Sequence, residues 1–420
     1  MKSLTRRGLL RSIGIGSLAL PAWFPRLAFA ATPAPERDIL ICVFLRGGAD
    51  GLNIVVPFAE DRYYDSRPLL AIRPPSRAAR TALDLDGFFG FHPSLAPLKD
   101  LWDDGVLAAV HATGSPDPTH SHFDAMDFME RGTPGSKSVP TGWLGRHLAT
   151  LDTGNDSPFR AVGMTTPLPA SLRGPVPATA LRSIADFHLT GKPGQDSELT
   201  RFQARLAATQ TGDGWLDIQA RQTFAAIEKL AAAAPGAHRP ANGAQYPETA
   251  FGTALLQIAQ LIKADLGLEI ACVDLDGWDR HADQGGATGF MADLLTDLAA
   301  GLLAFHTDLG DRMRRITVLA MSEFGRRVKE NASGGTDHGH GNVMFLLGGG
   351  VQGGKVHGPW PGLAPGQLVG PGDLAITTDY RTVLAEVLER RVGNTRIGEV
   401  FPGFVLPGYL GVMARAEASS

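Results

Sequence analysis

The stretch ILICVFL, residues 39–45, is a continuous apolar run of strand length, and the glycine-rich segment RGGADGLN follows it directly. A strand with one solvent face alternates apolar and polar residues, whereas a strand covered on both faces is apolar throughout. Similar runs are GVLAAV (105–110), EIACVDL (269–275), RITVLAM (315–321) and NVMFLLG (342–348). The sequence therefore predicts a sheet of buried strands.

Segments with helical periodicity lie between these runs and after the last one. They are LTRFQARLAATQ (199–210), ARQTFAAIEKLAAAA (220–234), FGTALLQIAQLIKADLG (251–267), GFMADLLTDLAAGLLAFHTDLGDRM (289–313) and TTDYRTVLAEVLERRVG (377–393). The last begins with a Thr-Asp cap and ends at Gly393. Alternating strands and helices predict an α/β fold, a three-layer sandwich with a mostly parallel central sheet.

The first thirty residues have the features of an export leader. Arg6 and Arg7 precede a short, mildly apolar stretch, and Ala28-Phe29-Ala30 resembles a cleavage site. This pattern predicts a twin-arginine signal peptide over residues 1–30 and a periplasmic or extracellular location. We expect residues 31–420 to form one domain, with a loop-rich cap insertion at about 134–198, where Pro, Gly, Ser and Thr are frequent.

Charge and hydropathy exclude some partners. The leader carries five basic residues and no acidic one, so its removal lowers the formal charge from −4 to about −9. An acidic chain of this kind is a poor nucleic-acid binder. No later stretch approaches about 20 uninterrupted apolar residues, so no membrane contact is expected after leader removal.

The two cysteines, Cys42 and Cys272, lie in apolar runs. Buried free thiols are the commoner state for such residues, although a disulfide between the two remains an alternative.

Polar side chains adjoin every predicted strand. They are Arg46 and Asp50 after the first, Ser121 and His122 after the second, Asp279 and His281 after the third, Glu323 and Arg326 after the fourth, Asp337, His338 and His340 before the fifth, and His357 after it. Carboxyl ends of parallel strands meet at one sheet edge, so these residues should converge. Carboxylates and imidazoles packed together repel or titrate unless a cation lies among them, which favours a metal centre.

Several motifs together resemble a known family. They are FLRGGADGLN, FHPSLAPL, SHFDAMDFME, TGWLGRHL, DGWDRHADQ, SEFGR, NASGGTDHGHGN and GGKVHG. The chain resembles a bacterial family of unknown function, usually exported by the twin-arginine route. That family is placed in the alkaline phosphatase superfamily, together with sulfatases, phosphodiesterases and phosphoglycerate mutases. The resemblance implies an alkaline-phosphatase-like fold.

The resemblance also implies a two-metal site. It assigns Asp50, Asp337 and His338 to one divalent ion, and Asp279, His281 and either His340 or His357 to the other. Ser121 would be the nucleophile, and Arg46 or Arg326 would clamp the oxygens of the ester. Histidine-rich ligation favours Zn or Mn over Ca or Mg. The spacing of Asp279 and His281 is shorter than the superfamily's usual pair, and the formylglycine sulfatase signature C-x-P-x-R is absent.

Simpler roles remain open for some of these residues. Ser121 with Asp124 suits a plain helix N-cap, and Thr113 or Thr119 is an alternative nucleophile. Asp337 and Asp50 are also residues that commonly form turns. His122 is suited to orienting a metal ligand. Glu323 is either a ligand or the partner of an arginine.

Two functions follow from the sequence. The first is an exported metal-dependent hydrolase of a small or polymer-borne phosphate or sulfate ester, which uses two divalent ions and a Ser/Thr nucleophile. The alternative is a non-catalytic periplasmic or envelope protein that keeps the fold and binds or assembles with another exported protein.

Overall fold

The computed structural model describes residues 37–184 and 239–414, together with residues 224, 226, 227, 229 and 230. The predicted leader (1–30), the predicted helix at 199–210 and most of the predicted helix at 220–234 lie outside the described residues. From Asp38 onward, the described residues belong to one compact unit.

The secondary structure alternates as the sequence predicts. The strands are β1 (Ile39–Arg46), β2 (Val55–Val56), β3 (Leu83–Asp84), β4 (Gly90–Phe91), β5 (Leu107–Gly114), β6 (Ala161–Gly163), β7 (Thr179–Ala180), β8 (Ile270–Asp276), β9 (Ile316–Met321), β10 (Asn342–Gly348), β11 (Val356–His357) and β12 (Thr378–Asp379). The α-helices are α1 (Gly51–Ile54), α2 (Asp61–Ser66), α3 (Lys99–Asp103), α4 (His122–Arg131), α5 (Trp143–Thr150), α6 (Ala250–Lys263), α7 (Phe290–Leu309), α8 (Tyr380–Arg390) and α9 (Ile397–Val400). Short 3₁₀ turns cover Pro93–Leu98, Ala170–Leu172, Gly310–Arg315 and Pro365–Gln367.

One large mixed sheet organises the described residues. Its strand order is β11-β5-β10-β9-β1-β8-β6-β7, and β12 also pairs with β5. The central strand β1 is parallel to both neighbours, with Val43 opposite Val273 of β8 and Ala320 of β9. Only β10 among the strands of this sheet runs against its neighbours. The predicted α/β fold with a mostly parallel sheet is confirmed.

The direction of β10 decides which loops meet. It is antiparallel to β9 and β5, and its first residue, Asn342, pairs with Thr113 near the end of β5. The segment before β10 therefore reaches the edge where the parallel strands end. A parallel β10 would have carried that segment, with Asp337 and His338, to the opposite edge.

Burial on both faces explains why β1 is apolar throughout. Ile41, Val43 and Leu45 belong to a core cluster that includes residues of α6 and α7. Leu40, Cys42 and Phe44 belong to a second cluster that includes residues of α5 and α8. Successive side chains of a strand point to opposite faces, so each face has its own core.

Two further features concern the sequence predictions. Cys42 and Cys272 lie opposite each other in β1 and β8, and both are buried free thiols. The segment Phe290–Arg315 is long and apolar enough to cross a membrane, judged by length and composition. Half of its most apolar stretch is buried inside the fold, as in the core helix of a globular protein. The segment predicted as a cap contributes β6 and β7 to the main sheet as far as it is described, and residues 185–198 lie outside the described part.

A buried ion pair fixes the loop after β1. The Arg67 side chain is fully buried, and its guanidinium donates to both Asp50 oxygens at 2.5 and 2.9 Å. The same guanidinium donates to the carbonyls of Arg327 and Val328, and Gln284 adds a third hydrogen bond to Asp50. Asp50 thus holds three segments together, although the sequence suggested it as a metal ligand.

Replacing Asp50 with Ala should leave Arg67 buried without its counter-ion. Loss of one partner of a buried pair typically costs about 3–5 kcal/mol, so the free energy of unfolding should fall by that amount in a denaturant titration. Bound metal, measured below the unfolding transition, should stay at the wild-type level. Metal loss in a variant that remains folded would instead return Asp50 to the ligand set.

Candidate metal centre

Loops from distant parts of the chain meet at the carboxyl edge of the sheet. The loop after β8 brings Asp279 and His281, the segment before β10 brings His338, and the start of α4 brings His122. The structure thus brings together His281, His338 and Asp279, as the sequence predicts for strand-end residues. His122, which the sequence suggested as a residue that orients a ligand, also lies in this group through its Nε2 atom.

Three imidazoles and one carboxylate converge on a single point. His338 Nε2 lies 2.9 Å from His122 Nε2 and 2.8 Å from His281 Nε2. Asp279 Oδ1 lies 3.4, 3.1 and 3.3 Å from the Nε2 atoms of His122, His281 and His338. We call these four residues the principal cluster.

The other nitrogen of each imidazole is engaged outside the cluster. His338 Nδ1 donates to the His120 carbonyl at 2.8 Å, which leaves its Nε2 as a lone-pair atom in the neutral ring. His122 Nδ1 lies 2.6 Å from Glu323 Oε1, and His281 Nδ1 lies 3.2 Å from Asp337 Oδ1. Carbonyl and carboxylate partners orient metal-ligating histidines in this way. Lone pairs less than 3 Å apart repel unless a cation lies between them, so this donor set fits a metal ion.

The pKa shifts favour metal binding at His338 and Asp279 and oppose it at His122. Partial burial and the charge of Arg326 lower the pKa of His338, which favours the neutral ligand form. Burial raises the pKa of Asp279, but the hydrogen bond and charge of Arg326 outweigh it and hold that pKa well below its usual range. The hydrogen bond to Glu323 raises the pKa of His122, so a proton competes with a metal there.

Comparison with known proteins adds a family. Residues 37–403 match the profile of a family described as a protein of unknown function, DUF1501. The chain belongs to this family. The match covers all four residues of the principal cluster, and it confirms the resemblance to a family of unknown function. No curated protein matches the chain.

The two arginines suggested as ester clamps are engaged with protein groups. Arg46 binds Glu130 Oε1 at 2.6 Å and Asp274 Oδ2 at 2.7 Å. Arg326 is buried, and its guanidinium donates to Asp279 and to backbone carbonyls of three neighbouring loops. Arg326 therefore positions Asp279, and both guanidinium groups have few donors left for a substrate.

The remaining suggested ligands contact other groups of the protein. Asp337 orients His281 and accepts a hydrogen bond from Asn331, and these bonds lower its pKa. His340 lies beside His120 instead. His357 belongs to β11, which pairs with β5, and its Nε2 atom lies 2.8 Å from the Gln352 carbonyl oxygen. Within the described residues, neither His357 nor Asp50 makes a hydrogen bond or ion pair with a residue of the principal cluster.

Ser121 lies between two histidines at the start of α4. Its Oγ accepts from the Asp124 backbone amide at 3.5 Å, so it is the N-cap of the helix. The capping role that the sequence suggested is thus present. A helix N-terminus also stabilises negative charge, so the cap position suits a nucleophilic oxygen equally well.

Arg327 is a cation that the sequence suggested only as a possible partner of Glu323, not as a group near the site. Its side chain is 36% exposed, and its Nη1 lies 4.0 Å from Asp337 Oδ2. Its Nε lies 3.9 Å from Asp373 Oδ1 and has no hydrogen-bond partner among the described residues. The adjacent pair Arg326-Arg327 was the only available signal, and it does not show which guanidinium is buried.

The glycines around Asp337 and His338 permit close packing of loops. A Cβ on Gly335 would lie 2.4 Å from the His281 carbonyl carbon, and a Cβ on Gly339 would lie 2.4 Å from the Arg326 carbonyl carbon. Both contacts involve backbone, which cannot move aside without moving a site residue. The glycines therefore set the approach of His338 to its neighbours.

Gly339→Ala should displace the segment that carries His338. Disturbing the groups that orient a metal ligand typically lowers metal affinity by about 10–100-fold, and we expect a loss of that size. Competition with a chromogenic chelator measures it. Gly366→Ala is the matched control, because a Cβ there meets nothing within 4 Å. Equal affinities in the two variants would contradict the packing argument.

Proposed function

We propose that this protein is an exported metal-dependent hydrolase of a phosphate or sulfate ester, with an alkaline-phosphatase-like, three-layer fold. The observation that carries the proposal is the convergence of three imidazole nitrogens and the Asp279 oxygen on one point. The export and the periplasmic or extracellular location rest on residues 1–30 of the sequence. Superfamily membership rests on the motifs.

The principal cluster fits a transition metal better than a hard cation. Imidazole and carboxylate ligands suit Zn or Mn, and Ca or Mg would take oxygen ligands. The side chains of Asp279 and His281 are each 45% exposed, so one side of the cluster is open to solvent. A bound ion there would polarise an ester oxygen and lower the pKa of a hydroxyl nucleophile.

The start of α4 supplies a candidate nucleophile. Ser121 directly precedes His122, and the free amides of the helix N-terminus favour an alkoxide at this position. Glu323, which is 1% exposed, holds His122 from the other side and so fixes the first residue of the helix. One carboxylate therefore fixes both the first residue of α4 and the His122 imidazole.

Arg327 is the favoured group for binding the ester anion. Arg46 and Arg326 already donate to carboxylates and carbonyls within 3 Å. Arg327 is partly exposed, and its two acidic neighbours lie at 3.9 and 4.0 Å, beyond hydrogen-bond distance. A guanidinium with free donors is suited to a tetrahedral oxyanion.

The central test compares His281→Ala with the control His357→Gln, a histidine outside the cluster. Zinc content and hydrolysis of nitrophenyl phosphate, bis-nitrophenyl phosphate and nitrophenyl sulfate are measured on the purified protein. We expect wild type to bind metal and cleave at least one ester, His281→Ala to lose metal and about 100-fold or more in activity, and His357→Gln to keep both.

Two results would contradict this function. Metal content unchanged by His281→Ala would remove the principal cluster as a metal centre. A metal-loaded protein that cleaves none of the three ester classes would instead favour the alternative, a binding or assembly partner of another exported protein.

Arg327→Ala should weaken substrate binding. A hydrogen bond to a charged group contributes about 1.5–3 kcal/mol, so KM should rise by about tenfold or more, with metal content unchanged. Arg396→Ala, at an exposed arginine paired with Glu399, is the control. An unchanged KM in Arg327→Ala would exclude this arginine from ester recognition.

A further inference from the structure

A second group of possible ligands lies beside the principal cluster. His120, His340 and Asp373 each offer a ligand atom, and these atoms lie within 4.8 Å of one another. His120 Nε2 is 3.2 Å from Asp373 Oδ2, and the rings of His120 and His340 are 5.5 Å apart between centroids. We call these residues the second cluster. None of them belongs to the principal cluster.

The second cluster contains buried polar atoms without partners. Asp373 is 1% exposed, and its Oδ1 has no hydrogen-bond partner among the described residues. His120 Nε2 also makes no hydrogen bond within the described residues, although it lies at ion-pair distance, 3.2 Å, from Asp373 Oδ2. Arg327 Nε lies 3.9 Å from Asp373 Oδ1, beyond hydrogen-bond distance. Buried carboxylates are normally satisfied by hydrogen bonds or by a bound cation, so these atoms call for a partner.

Burial disfavours the charged forms of Asp373 and His340. Burial raises the pKa of Asp373, although the neighbouring histidines and Arg327 oppose this effect. Burial likewise lowers the pKa of His340, and the nearby His120 lowers it further. Neutral imidazoles beside a carboxylate are the forms that bind a metal ion, so these shifts are compatible with a cation among them.

We propose that His120, His340 and Asp373 bind a second divalent transition-metal ion, separate from the ion of the principal cluster. Two imidazoles and one carboxylate form a three-ligand set typical of Zn, with a fourth position left for another ligand. This proposal does not depend on ester hydrolysis.

A small cavity provides room for the fourth ligand. It has a volume of ≈ 10 Å³ and is lined in part by His340, Asp117 and Thr119. A volume of about 10–15 Å³ accommodates one water molecule, and the polar lining offers it hydrogen bonds. The cavity touches one of the three ligands, His340, so it offers room for a water on that side of the second cluster.

The two clusters divide two short motifs between them. In HSH (120–122), His120 belongs to the second cluster and His122 to the principal cluster. In HGH (338–340), His340 belongs to the second cluster and His338 to the principal cluster. The Phe324 ring lies near both, 4.9 Å from the His338 ring and 6.2 Å from the His120 ring. The direct link is the hydrogen bond from His338 Nδ1 to the His120 carbonyl.

Metal stoichiometry tests the proposal. The full mature chain is loaded with zinc, freed of excess metal, and examined by native mass spectrometry as wild type, His340→Gln, Asp373→Asn and His281→Ala. We expect two ions in wild type and one in each variant. His340→Gln and Asp373→Asn should lose the ion of the second cluster, and His281→Ala should lose the ion of the principal cluster. Circular dichroism and thermal unfolding establish that each variant is folded.

The outcomes separate the two centres. Wild-type metal content in folded His340→Gln and Asp373→Asn would overturn the second site, whatever His281→Ala does. Loss of an ion in these variants, with no loss in His281→Ala, would support the second site and contradict the principal one. If Asp373→Asn fails to fold, His340→Gln alone decides, because its ring is only partly buried.

Discussion

The Arg326 guanidinium is the interaction on which the geometry of the site depends. It donates to the carbonyls of Gly47 and Gly48 after β1, Trp278 after β8, and Thr336 before β10. It also donates to the Asp279 carboxylate, which belongs to the principal cluster. One buried cation thus gathers three loops that have no regular structure of their own. Its burial is compensated because its donors face oxygen acceptors from these loops.

Much of the fold was predictable from sequence because burial on both faces leaves a direct signal. The runs at 39–45 and 342–348 became β1 and β10 with nearly the predicted bounds. The direction of β10 was not predictable, since an apolar run carries no information about the orientation of its neighbours. The loop-rich composition of 134–198 likewise concealed β6 and β7, which are two or three residues long.

The site was only partly predictable for a related reason. His281, His338 and Asp279 stand at strand ends, and strand ends meet by topology alone. Asp50 also follows a strand, but its partner Arg67 lies in a different loop, and nothing in the sequence shows that the two meet. Asp373 is further from any strand run and lies in a segment without a recognisable motif. Pairings between irregular segments depend on the folded structure, and residue type alone does not specify them.

The ligands of the principal cluster are far apart along the chain, with 216 residues separating His122 from His338. In a zinc finger the ligands are local, so metal binding can drive folding from an early stage. Here the long-range strand pairing has to form before the four ligands can meet, and contacts of this kind close late because of their loop entropy. The principal cluster is therefore assembled by the completed sheet, and uptake of the proposed metal would report that folding of this chain is finished.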